Sequence, residues 1–184
     1  MIHSYIETRA EKLLMEAGEF KVGVDVENCA LFLEVKVKAV NLEDDVSGFL
    51  VFNGDVAHIG YNNTHSEHRH RFTIAHELGH YILHKKNTRV FIEKKQKADE
   101  RIMFRNNSSS TGEYLMEREA NSFAAALLMP KKLIEERIAK SNNGENPDEL
   151  ISDLARDFNV SPQAMRIRLT NLGIVDYDQL QYPD

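Results

Sequence analysis

The sequence contains the pattern H-E-x-x-H at residues 76–80, His-Glu-Leu-Gly-His. The surrounding apolar residues recur at helical spacing and predict an amphipathic helix from about Ser66 to His84, with Ser66 as its N-cap. On such a helix His76 and His80 project from one face, one turn apart, where they can share a tetrahedral cation. Glu77 lies about 100° around the helix from His76. It therefore borders the ion and can take a proton from a water molecule that attacks a carbonyl.

A catalytic zinc ion needs a third protein ligand and one position open to water. The metzincin pattern would require Gly at position 83 and His at position 86, but Leu83 and Lys86 stand there, so that class is excluded. His84 continues the four-residue spacing of the histidines. On a straight helix it would lie about 12 Å from His76 along the axis, so we expect it to pack or to support a ligand rather than to bind the ion.

A second helical pattern, rich in alanine, runs from Glu113 to Met129 and ends at Pro130. On it Glu117 shares a face with Asn121, and a buried carboxylate on an apolar helix is costly unless a cation neutralises it. Glu117 is therefore the predicted third ligand, and Asn121 is predicted to hydrogen-bond a ligating histidine. Glu119 is turned about 200° from Glu117. We expect it to be a solvated surface charge and regard it as a weaker candidate ligand.

The first third of the chain predicts a helix and a small sheet. Residues 2–17 have helical spacing and end at Gly18, whereas residues 24–33 fit either a short buried helix or a strand. Alternation at 35–38 and a strand, tight turn and strand over 49–59 predict a small antiparallel sheet before residue 62. Residues 94–112 are polar and predict a mobile surface excursion without fold information.

The C-terminal segment is predicted to be helical. Pro147 and Pro162 each follow a capping residue, Asn146 and Ser161, which indicates two helices in a helix-turn-helix pattern that ends before Gly173. Such a pattern can indicate DNA binding, but residues 148–184 carry seven acidic and three basic side chains. A phosphate-binding surface should be basic, so a structural or substrate-docking role is favoured.

Composition narrows the class of protein further. The chain has 23 Lys and Arg against 29 Asp and Glu, a net charge of −6, so nucleic acid is not the expected partner. Its one cysteine, Cys29, excludes an internal disulfide and fits a reducing cytoplasm. The N-terminus does not have the basic and apolar regions of a secretory signal, and no run of about 18 apolar residues occurs. We therefore expect a cytoplasmic protein without a membrane segment.

Two sequence blocks carry a family resemblance. TIAHELGHYILH at 73–84 and EREANSFAAALLMP at 117–130 resemble the two signature blocks of the ImmA/IrrE metallopeptidases. DVSGFL at 45–50 and segments within 154–165 resemble the same family, so the likeness covers roughly residues 20–173. The resemblance implies a gluzincin-like site in which His76, His80 and Glu117 hold zinc. It also implies site-specific cutting of a cytoplasmic helix-turn-helix transcriptional repressor encoded nearby.

The sequence thus predicts an α+β fold with a small antiparallel sheet on a zincin-like helical core. Residues 1–140 are predicted to form the metallopeptidase domain, and residues 141–184 a helical segment packed on the same core. The predicted function is zinc-dependent endopeptidase, with manganese as an alternative ion and Glu77 as general base and later proton donor. The alternative is a non-catalytic module, stabilised by the same metal, that acts on a repressor by contact alone, as a toxin-like protein would.

Overall fold

The α+β class predicted from the sequence is confirmed by a computed structural model, which describes residues 2–84, 90–94, 108–140 and 146–175. Eleven elements follow one another in these residues. In chain order they are α1 (Ile2–Glu16), α2 (Val26–Phe32), β1 (Lys36–Val40), β2 (Val46–Asn53), β3 (Val56–Asn62), α3 (Glu67–His84), β4 (Val90–Lys94), α4 (Ser108–Leu128), α5 (Lys131–Ala139), α6 (Pro147–Phe158) and α7 (Pro162–Asn171).

Residues 24–33, which fitted either a helix or a strand, contain the helix α2. Asp25 caps it, because its Oδ1 accepts hydrogen bonds from the backbone N–H groups of Glu27 and Asn28 over 3.0 and 3.1 Å. Cys29 and Ala30 are fully buried on its inner face. The strand interpretation of residues 24–33 is therefore wrong.

The sheet is mixed rather than purely antiparallel, with strand order β1-β3-β2-β4. β2 and β3 form the predicted antiparallel hairpin, but β1 pairs parallel to β3, with Lys36 opposite His58. The loop at 41–45 carries the chain across the end of β3, where the buried Asn62 amide donates to the carbonyls of Leu42, Glu43 and Val46 over 3.0 to 3.3 Å. Because the loop crosses there, β1 lies beside β3 and not beside β2, and the expectation of antiparallel pairing is wrong for β1.

One face of the sheet packs against α3. Leu50 and Ile59 on the sheet, and Ile74 and Leu78 on the helix, are at most 2% exposed and belong to one buried cluster. Burial of such side chains stabilises the fold by about 1.5–3 kcal/mol each. The sheet therefore fixes the orientation of the helix that carries both histidines of the motif.

α3 also packs closely against α4. A Cβ added at Gly79 would lie 3.1 Å from the Cα of Ala120 and 3.2 Å from the Cβ of Phe123. The two backbones can approach this far because the contact surfaces are glycine and alanine. Of the segment predicted as a polar excursion, residues 95–107 lie outside the described residues, and α4 already begins at Ser108.

The C-terminal helices begin as predicted, with Asn146 and Ser161 accepting hydrogen bonds at their N-termini. Their apolar residues, among them Phe158 and Met165, belong to the same buried cluster as α3 and α4. The turn is tied to α3 at Asn159, whose carbonyl accepts from Nε of Arg71 over 3.1 Å. The division of the chain at residues 140 and 141 stays a prediction. None of the described helices has the length and apolar character needed to cross a lipid bilayer.

Candidate metal centre

The two motif histidines are buried and lie side by side on α3. His76 and His80 are 1% and 0% exposed, and their Nε2 atoms are 3.0 Å apart. The four-residue spacing on α3 brings the rings onto one face of the helix. The structure thus places both imidazoles on one face of α3, as the spacing predicted.

α4 adds a carboxylate to the pair. Oε2 of Glu117 lies 3.3 Å from Nε2 of His76, and Oε1 lies 3.1 Å from Nε2 of His80. Two ligands of a tetrahedral zinc ion, with bonds of about 2.0–2.1 Å, are about 3.3 Å apart. The three donor atoms thus have the separations of one tetrahedral site and could hold a metal ion.

The charge states favour ligation. Burial acts to raise the pKa of Glu117, but hydrogen bonds with His76 and His80 outweigh it and lower the pKa to about 2. The pKa of His80 is lowered chiefly by burial, against the opposing effect of Glu117. An ionised carboxylate beside a neutral imidazole is the form in which both side chains bind a divalent cation.

Glu117 is less enclosed than the sequence suggested, since 38% of its side chain is exposed. The metal centre therefore lies at the edge of the core, with the histidines inside and the carboxylate toward solvent.

Asn121 lies one turn beyond Glu117 and contacts His76. Its Oδ1 is 2.9 Å from Nδ1 of His76, the ring nitrogen that points away from Glu117. This contact can fix the orientation of the ring. The supporting role predicted for Asn121 stays a prediction.

Glu77 is fully buried, at 0% exposure, on the turn of α3 that carries His76. A carboxylate in this position is shielded from bulk water, which strengthens its interactions with nearby charge. Its assignment as general base remains a prediction.

The sequence analysis missed the contact between His84 and Glu119. Nε2 of His84 lies 2.8 Å from Oε2 of Glu119, and its Nδ1 lies 3.2 Å from Nδ1 of His80. Glu119 keeps 35% of its side chain exposed, and its carboxylate also pairs with a histidine that is 4% exposed. The four-residue spacing from His80 to His84 was the signal for this contact, since it predicts a third ring on the same face.

A cavity of about 530 Å³ adjoins the centre between α3, α4 and α7. Phe72 and Asn121 line it on the metal side, and Ala164 and Ile167 line it on the α7 side. Asn121 is thus shared by the cavity and by the hydrogen bond to His76. His76, His80 and Glu117 do not themselves line the cavity, which meets the candidate centre through Asn121 and through Phe72, whose ring centroid lies 6.3 Å from that of His76.

Comparison with known proteins shows which family the sequence matches. The sequence matches the peptidase M78 family, described as the IrrE N-terminal-like domain, over residues 32–170. The protein belongs to the peptidase M78 family. The match includes α3 and α4 and with them every residue of the candidate centre. It confirms the resemblance carried by the two motif blocks and assigns this M78 protein to a family of peptidases.

One protein is similar to the chain in sequence and another in fold. Uncharacterized immunity region protein 2 of Bacillus phage phi105 is 31% identical to the M78 protein over 101 residues, which are 55% of this chain and 56% of the phage protein. A Mycobacterium tuberculosis transcriptional regulator shares the fold, with a TM-score of 0.59 and 17% identity over 91% of this chain and 46% of the regulator. The chain thus spans about half the length of each of these two proteins.

Proposed function

We propose that the protein is a zinc-dependent endopeptidase that hydrolyses a peptide bond in a protein substrate, a helix-turn-helix transcriptional repressor. The observation that carries this proposal is the convergence of His76, His80 and Glu117 within 3.0 to 3.3 Å of one another. The chain belongs to a peptidase family, and the buried Glu77 directly follows His76 in the sequence.

The donor set supports zinc as the ion. Two imidazoles and one carboxylate form the ligand set of several catalytic zinc sites, and manganese is the alternative because it also accepts nitrogen and oxygen ligands. When bound, the ion supplies a Lewis acid for the carbonyl and for the attacking water. His76 and His80 would hold it through Nε2, and Glu117 through its carboxylate.

Glu77 is proposed to move the proton. Its carboxylate accepts a proton from the water that attacks the peptide carbonyl, and it then donates that proton to the leaving amine. Its place on the same turn as His76 fixes its distance from the reacting groups, because α3 is held by the sheet on one side and α4 on the other. A positioned acid-base group of this kind contributes about 100- to 10,000-fold to the rate.

The proposed substrate is supported by the phage relative and by charge. The phi105 protein is named for an immunity region, and the net charge of −6 disfavours binding to DNA itself. The cavity between α3, α4 and α7 supports recognition of a protein segment, since Ala164 and Ile167 offer an apolar wall in a cavity that Asn121 also lines. We place this action in the cytoplasm, where a transcriptional repressor would be found.

Substitution of the proposed base tests the function. Glu77→Gln should retain stoichiometric zinc yet cleave the repressor encoded beside this gene about 100- to 10,000-fold more slowly. Glu34→Gln, at an exposed position between α2 and β1, is the matched control and should cleave at the rate of the unmodified protein. Cleavage by Glu77→Gln at that same rate would reject the proposal. If both variants inactivated the repressor equally and no cut product appeared, a non-catalytic module would be favoured.

A further inference from the structure

Three side chains form a continuous row that leads from the metal centre to the protein surface. Nδ1 of His80 lies 3.2 Å from Nδ1 of His84, and Nε2 of His84 lies 2.8 Å from Oε2 of Glu119. His80 and His84 are 0% and 4% exposed, whereas 35% of the Glu119 side chain is exposed. The row therefore connects a buried ring to a carboxylate that water can reach.

The hydrogen-bonding capacity of the three groups indicates one arrangement of protons for the metal-bound protein. An ionised carboxylate only accepts hydrogen bonds, so Nε2 of His84 carries a proton and donates it to Glu119. A neutral His84 then has a lone pair on Nδ1, which accepts from Nδ1–H of His80. In the metal-bound protein this arrangement leaves Nε2 of His80 without a proton, as ligation requires. That nitrogen is the one that lies 3.1 Å from Glu117 and 3.0 Å from His76.

We propose that His84 and Glu119 are positioning residues that hold His80 in the tautomer and the ring orientation required for binding a divalent cation. The inference rests on the metal site of the proposed function but does not require that the protein cut any substrate. Neither residue touches the reacting atoms. They act through the hydrogen bond to His80, as outer carboxylates do in other histidine metal sites.

His76, the other proposed ligand, is supported by a neutral side chain instead of a charged one. His76 is held at Nδ1 by the amide of Asn121, whereas His80 is held through an imidazole by the charge of Glu119. A charge-assisted hydrogen bond is roughly twice as strong as a neutral one. Removal of the Glu119 carboxylate should therefore weaken metal binding even though Glu119 is not a ligand.

Zinc affinity of the metal-free protein is the first test. In competition with a chromophoric chelator, Glu119→Ala should bind Zn²⁺ about 10- to 100-fold more weakly than the unmodified protein. Glu119→Gln keeps an acceptor oxygen and should recover part of this loss. Glu135→Ala is the control, because Glu135 is an exposed carboxylate on α5 that pairs with Lys131, and its zinc affinity should not change. Zinc affinity of Glu119→Ala equal to that of the unmodified protein would overturn the inference.

The tautomers provide a second readout that a merely structural role would not change. With ¹⁵N-labelled histidine in the zinc form, NMR should find the proton of His80 on Nδ1 and that of His84 on Nε2. In Glu119→Gln, which keeps the size of the side chain, the His84 signal should shift or broaden because the charged acceptor is lost. A proton on both nitrogens of His84 in the unmodified protein would contradict the inference. These measurements do not depend on cleavage, so the positioning role of His84 and Glu119 and the peptidase activity can be rejected separately.

Discussion

Oδ1 of Asn121 lies 2.9 Å from Nδ1 of His76, one helical turn beyond Glu117 on α4. One helix therefore supplies both a carboxylate to the metal centre and an amide to the far side of a ligand ring. Because α4 approaches α3 closely at Gly79, these two contacts depend on the same helix packing. The candidate metal centre is thus formed where two helices meet, and each helix contributes candidate ligands together with side chains that contact them.

The amide of Asn121 should raise metal affinity by fixing His76. Asn121→Ala removes the acceptor and should weaken zinc binding about 10- to 100-fold, whereas Asn121→Asp keeps an acceptor oxygen and should remain close to the unmodified protein. Chelator competition measures both affinities. Unchanged affinity in Asn121→Ala would show that the hydrogen bond does not support the ligand.

The apolar wall of the cavity should select the substrate. Ile167 is 55% exposed on α7 and lines the cavity. Ile167→Glu places a charge against an apolar substrate segment and should lower kcat/KM for repressor cleavage by about 10-fold or more, with zinc content unchanged. Leu31→Glu is the control, since Leu31 is 71% exposed on α2 and does not line this cavity. Equal kcat/KM for the two variants would show that Ile167 on α7 does not take part in substrate recognition.

The carboxylate of Glu19 should make stability depend on pH. Its oxygens accept from the backbone N–H of Asp25 over 3.0 Å and from Nδ2 of Asn28 over 2.8 Å, and Nζ of Lys21 lies 3.1 Å away. Burial acts to raise the pKa of Glu19, but these hydrogen bonds and the lysine charge outweigh it, so the pKa lies below its ordinary value of 4.5. A lowered pKa stabilises the fold above the unfolded-state pKa, and this contribution is lost as the pH falls through the folded-state pKa.

Glu19→Gln should therefore lower the free energy of unfolding by about 1.5–3 kcal/mol at neutral pH. The difference from the unmodified protein should narrow as the pH is lowered below the ordinary glutamate value of 4.5. Urea unfolding at a series of pH values measures it. Glu27→Gln, at an exposed position on α2, should have little effect throughout. A difference that widens on acidification would contradict this explanation.

The thiol of Cys29 should be unreactive in the folded protein. It is fully buried, and burial together with the charges of Glu19 and Asp25 raises its pKa to about 12 from an ordinary 9.0. The thiolate fraction at pH 8 is then about 1000-fold lower than for an ordinary cysteine. Alkylation by N-ethylmaleimide should be slower than in urea by at least about that factor. Rapid labelling of the native protein would show that α2 opens readily.

Local sequence patterns predicted most of the helices because their determinants lie within one turn. α3 and α7 were expected at nearly their observed bounds from apolar spacing and capping residues, including Ser161. β4 was not predicted, since an apolar run of this length at 90–94 does not reveal its period. The parallel pairing of β1 was also missed. It depends on how Asn62 holds the loop at 41–45, and that contact joins residues distant in sequence.

The same distinction applies to the metal centre. The proximity of His76 and His80 follows from spacing on one helix, and Glu117 followed from the cost of burying a carboxylate on an apolar face. The partner of Glu119 was not foreseen, because its rotation about α4 was considered without the neighbouring helix. Its contact with His84 arises from the packing of α3 against α4, which helical geometry alone does not specify.

Anomalous diffraction at the zinc absorption edge, from crystals of the protein loaded with one equivalent of Zn²⁺, tests the central claim most directly. We predict a single strong peak about 2.0–2.2 Å from Nε2 of His76, Nε2 of His80 and a carboxylate oxygen of Glu117. A fully loaded protein whose zinc peak lies elsewhere, or whose Glu117 side chain points away from the ion, would contradict it.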